Sequence, residues 1–146
     1  AEKVVLAAAC SGLAALAMLC GIGAFTGVDW GRLPLWLVAL AAGALGCSAL
    51  GVAIGALARE VRAASLLGLL VALPLAFLAL VPSGAVAGGV HDAITVVNAL
   101  FPFKPALQAL DAAVNGADPG VWGPAAHLLA LAAGYGILAR VALRRF

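Results

Sequence analysis

No charged residue falls within four long stretches of this chain, residues 4–28, 33–58, 63–90 and 119–139, the last with His127 as its one interruption. Each is longer than the roughly 20 helical residues that cross a hydrocarbon core. The pattern predicts four membrane spans, at about 4–25, 34–58, 63–81 and 122–141. Between the third and fourth spans the pattern turns amphipathic. Asp92, Thr95 and Asn98 fall in one helical arc, and Gln108, Asp111 and Asn115 share another, with Leu107, Leu110 and Val114 on other sides. Two short helices of about ten residues, roughly 15 Å each, are expected here, half of what a crossing needs. "FPFKP", Phe101, Pro102, Phe103, Lys104 and Pro105, is the bend between them. The fold class is therefore all-α, a single polytopic transmembrane domain over 1–146.

Composition agrees with an integral membrane protein: 66% of residues are hydrophobic and 10% charged, with a mean hydropathy of +1.19. A soluble domain of this length cannot bury that much apolar surface. The net charge of +2 is no sign of nucleic-acid binding; its meaning lies in placement. Lys3, Arg59, Arg62, Arg140, Arg144 and Arg145 lie at ends that four antiparallel crossings bring to one side, leaving Arg32 and Lys104 on the other. The positive-inside rule then makes both termini and the Arg59, Glu60, Arg62 turn cytoplasmic, with the Asp29 turn and the long connection over 82–121 outside. Trp30, Trp36 and Trp122 sit at the outer ends, where indoles favour the interface.

Cys10, Cys20 and Cys47 all fall within spans and form no disulfide framework, since Cys10 and Cys20 are about 15 Å apart along one helix. No phosphate loop, HExxH, GxSxG or carboxylate pair within a span supports catalysis. The spans lack Asp, Glu, Lys and Arg, which argues against a proton relay. His91 and His127 are lone histidines; for His127 a helix residue satisfied by a neighbour is expected. In the second span Ala39, Gly43, Cys47, Gly51 and Gly55 recur every four residues, a small-residue ridge that lets another backbone approach, within the chain or from a second subunit. A leucine at Gly51 is expected to force those backbones apart. Pro74 kinks the third span near its middle, either as a hinge or as a proline that membrane helices tolerate.

The run "LGVAIGALAREVRAASLLGLLVALPLAFLALVPSG", followed by "VVNALFPFKPALQALDAAVNG" and "LARVALRRF", resembles the membrane (permease) subunits of type-2 ABC transporters. In that family a glycine-rich span, a short basic cytoplasmic turn, a proline-bearing span, a re-entrant outer hairpin with a Phe-Pro motif and a final span follow in this order. The resemblance implies a six-span permease half of which this chain matches the last four spans, the piece of a longer protein that its start without methionine also suggests. The coupling helix that contacts the ATPase would then lie upstream. It implies an ATP-driven exporter that is not itself an enzyme and needs no cofactor of its own, ATP and magnesium being held by a partner ABC ATPase subunit or domain. A second permease half, in a homo- or heterodimer, and the lipid bilayer complete the expected partners, and a multi-pass place in a bacterial plasma membrane the location. The residues at 101–105 would form an outer gate at about 91–116. If the hairpin enters and returns from outside, Lys104 is expected to cap the carbonyls ending its first helix or to snorkel to the outer headgroups. A small four-span structural or assembly membrane protein is the alternative on composition and topology.

Overall fold

Proline and glycine divide the chain where their backbone chemistry requires. The computed structural model describes residues 2–26, 30–58, 60–82, 84–116 and 120–144, and the elements among them are helices: α1 (Glu2–Thr26), α2 (Leu33–Leu57), α3 (Val61–Ala79), α4 (Gly88–Leu100), α5 (Phe103–Asn115) and α6 (Trp122–Leu143), with a short 3-10 turn at Trp30–Arg32. Pro34, Pro105 and Pro124 lie in the first turns of α2, α5 and α6, where the missing N–H would have had no partner anyway. Gly116 ends α5 in the left-handed region at φ 72°, its N–H donating to the Ala112 carbonyl, a conformation that favours glycine. Pro74 lies inside α3, which continues through it as helix.

Three of these helices have the length and apolarity of a membrane crossing on their own, Leu33–Leu57, Arg62–Ala79 and Trp122–Leu143, close to the expected spans. The first expected span falls on α1, whose apolar stretch is Ala9–Phe25. Among the expected charged positions, Asp29, Arg59 and Arg145 lie outside the described residues, as do the side chains of Lys3 and Trp30. Glu60 precedes α3 and Arg62 lies in its first turn, both exposed.

Helix α2 is the centre of the assembly, packing on α1, α3, α5 and α6, with its largest contact on α6. The core lies where α5 meets both: Trp36, Ala39 and Ala42 of α2, Ala109, Ala112 and Ala113 of α5, and Val121, Ala125 and Leu128 at and in α6. Alanine dominates it because backbones approach closely only over small side chains.

As a contact within the chain, the glycine ridge needs correction. The buried small residues of α2 are Ala39, Ala42, Gly46, Ala49 and Ala53, spaced alternately three and four apart, so that they hold to one face. A strict spacing of four turns about 40° further round the helix at each step. Accordingly Ala39 is buried, Gly43 half-buried, and Cys47, Gly51 and Gly55 exposed. A Cβ added at Gly51 or Gly55 would meet nothing within 4 Å, whereas one at Gly46 would lie 3.1 Å from Leu128 Cδ2 and 3.3 Å from Pro102 Cβ. Within the chain, the close approach is made at Gly46.

Candidate functional site

The residue before a proline is pushed out of the helical region, and Phe101 before Pro102 is extended, at φ −117° and ψ 149°. That ends α4 at Leu100. Pro102 returns to helical angles, its carbonyl accepts from the Ala106 N–H at 3.0 Å, and α5 begins at Phe103. The bend is thus two residues long; Phe103, Lys104 and Pro105 belong to α5. The helices also begin earlier than expected, at Gly88 and Phe103, and they meet at an elbow of 83°. Together they have the length and apolarity of one crossing.

The elbow is seated in the middle of α2. Pro102 is buried against Gly46, thirteen residues past Leu33 and so about 20 Å along the helix axis. From there α5 runs back along α2: a Cβ at Gly43 would lie 3.5 Å from that of Ala106, and near the start of α2 the Trp36 indole Nε1 donates to the Ala113 carbonyl at 3.2 Å. The buried face of α5 is Pro105, Ala109, Ala112 and Ala113, while its polar residues Gln108, Asp111 and Asn115 are exposed, as their common arc requires. At the far end the Arg32 guanidinium lies against Gly116, beside the negative end of the α5 dipole.

Breaking the chain at Phe101–Pro102 deprives the last carbonyls of α4 of their helical donors. Side chains of α6 replace them. The His127 ring nitrogen Nε2 lies 2.8 Å from the Ala99 carbonyl, which can only accept, so the imidazole carries its proton on Nε2. The Tyr135 hydroxyl donates to the Leu100 carbonyl at 2.5 Å. On the other side, Asn98 is buried and its Nδ2 donates to the Leu78 carbonyl at 3.2 Å. That carbonyl also accepts from the Val81 N–H at 3.3 Å; its α-helical donor would come from Pro82, which has no N–H.

These bonds give to other side chains one of the two parts expected of Lys104, capping the carbonyls that end α4. It is half-buried at the second residue of α5, and no described residue accepts a hydrogen bond from its ammonium. The donors come from His127 and Tyr135, which the charge pattern did not single out as site residues. Their signal in the sequence is a histidine and a tyrosine eight residues apart in a span with no other strongly polar side chain before Arg140. His127 is satisfied by a neighbour, as expected of a lone helix histidine. Pro74 and Cys47 are both exposed, and Cys10, Cys20 and Cys47 are free thiols.

A family model described as ABC-2 family transporter protein matches residues 3–141. No curated protein and no solved structure matches the chain.

Proposed function

The chain belongs to the ABC-2 transporter family, being a membrane component of a transport system, and from that premise we propose that it is a permease of an ATP-driven exporter. It works as a dimer of permease halves, with ATP and magnesium bound on an ABC ATPase partner. The match over 3–141 carries this reading, because it takes in all six helices from their first residues almost to the last.

The elbow is the proposed outer gate, with α4 and α5 both reached from outside and the bend lowered into the membrane. Two observations support it. Pro102 meets α2 about halfway along its length, and each arm, at 13 residues, is too short to cross alone. The bend then reaches about the bilayer midplane. An ammonium near the bilayer centre costs at least about 2.5 kcal/mol, and Lys104 has no acceptor among the described residues. In this reading its ammonium meets water of the translocation path, so Lys104 marks the side of the elbow that the path passes. Both termini and the Glu60 and Arg62 turn face the cytoplasm, where the ATPase binds.

The test is purification of the tagged protein from its native membrane in mild detergent. An ABC ATPase should accompany it, and the complex should hydrolyse ATP with inhibition by vanadate. A purified assembly with neither the ATPase nor the hydrolysis would contradict the proposal.

A further inference from the structure

The two arms of the elbow are held by different forces. Helix α5 buries four residues against α2 and α6 in a core of small apolar side chains. Helix α4 buries only Asn98, and its main contacts are with α3 and α5. Among the described residues, its side-chain hydrogen bonds to other elements are that of Asn98 to the Leu78 carbonyl of α3 and, from α6, those of His127 and Tyr135 to the carbonyls of Ala99 and Leu100. His127 is exposed and Tyr135 half-buried, so neither donor is locked by surrounding atoms.

We propose that His127 and Tyr135 form a latch, and that α4 is the moving arm of the elbow while α5 is the fixed one. The swing is about Phe101 and Pro102. The two α6 side chains are positioning residues that hold α4 where it is observed, and movement of α6 during transport would release it. The chemistry of the two seats supports the division. A carbonyl that loses a side-chain donor beside a water-filled path can take a water instead, so the latch opens at little cost. Drawing Ala109, Ala112 and Ala113 away from α2 and α6 would leave a void that nothing refills. The inference rests on the outer-gate reading, because a latched arm matters only if the arm moves.

The experiment uses the full transporter complex in lipid nanodiscs, with Cys10, Cys20 and Cys47 replaced by alanine and labelled chains diluted with unlabelled ones. Spin-label distances are measured from Leu138→Cys on α6 to Asp92→Cys on α4 and, separately, to Asp111→Cys on α5, all exposed positions. Removing both donors with His127→Ala and Tyr135→Phe should raise the displaced α4 population by roughly eightfold, for two membrane hydrogen bonds of average strength. The α5 distance should not change. Tyr135→Phe alone should give roughly threefold and keeps the test open if the double variant does not assemble. His127→Gln, which retains an N–H donor, should restore the native distribution in place of His127→Ala. An α4 distribution unchanged in both Tyr135→Phe and the double variant would overturn the latch, and so would equal broadening of both pairs. If α4 swings in the double variant but the unmodified complex gives one α4 distance with and without trapped ATP, the latch stands and the outer-gate reading fails.

Discussion

Gly46→Leu is the substitution to which the elbow's seat should respond most sharply. The first added atom already falls 3.1 Å from Leu128 Cδ2 and 3.3 Å from Pro102 Cβ. Leu128 has no exposed surface to rotate toward, and Pro102 is a rigid ring. Leucine adds three more carbons beyond that point, and overpacking of this kind costs about 1 to 3 kcal/mol. Replacing glycine in a helix recovers up to about 1 kcal/mol, so Gly46→Ala, which needs a shift of only a few tenths of an ångström, should come out near neutral while Gly46→Leu remains destabilising. Gly51→Leu is the control. Its Cβ meets nothing within 4 Å, so the helix gain of up to about 1 kcal/mol is unopposed there and Gly51→Leu should be neutral to stabilising. Equilibrium unfolding in mixed detergent micelles, followed by tryptophan fluorescence, compares the three. Leu128→Ala added to Gly46→Leu should recover part of the loss, because the removed side chain is the one the leucine strikes. Equal losses for Gly46→Leu and Gly51→Leu, or no loss at Gly46, would refute the seat.

Trp36→Phe keeps the ring in the core and removes the donor to the Ala113 carbonyl, so unfolding in the same micelles should show a loss of about 1 kcal/mol. Gly116→Ala places a side chain at φ 72° and against the Arg32 guanidinium; it should lose at least about 1 to 2 kcal/mol, and Arg32→Ala in the same chain should reduce that loss. Cysteine at Lys104 in a cysteine-free background should react with a membrane-impermeant thiol reagent from outside, more slowly than cysteine at the exposed Gly88. Equal rates would place residue 104 at the membrane surface and contradict a bend lowered into the membrane.

The spans could be read from the sequence because bilayer length and the absence of charge are properties of residues one at a time, and the uncharged runs coincide with α2, α3 and α6. The split of the fourth region was readable for a similarly local reason, since Pro102 dictates the conformation of Phe101 whatever surrounds it. Pro105 carries the same chemical signal yet breaks nothing, because it falls in the first turn of α5, and only the register of that helix decides this. Register also misplaced the ridge. Four-residue spacing looks like a face over two turns, but from Ala39 to Gly55 it rotates by about 160°, and the true face through Gly46 alternates threes and fours. The donors to the broken helix were hidden because nothing in the local sequence couples His127 and Tyr135 to carbonyls 28 and 35 residues earlier. Lys104 was the nearest donor in sequence, and α6 was the nearest in space.

The outer gate depends on which side of the membrane each arm of the elbow begins, and single cysteines at Asp92 and Asn115 decide it. Both positions are exposed, one near the start of α4 and the other at the end of α5. In sealed vesicles of known orientation, with the native cysteines removed, an impermeant thiol reagent is applied first outside and then, after permeabilisation, inside. An elbow that enters and returns gives labelling of both positions from outside only. Labelling of Asp92 and Asn115 from opposite sides would make α4 and α5 one broken crossing, and the outer gate would be contradicted.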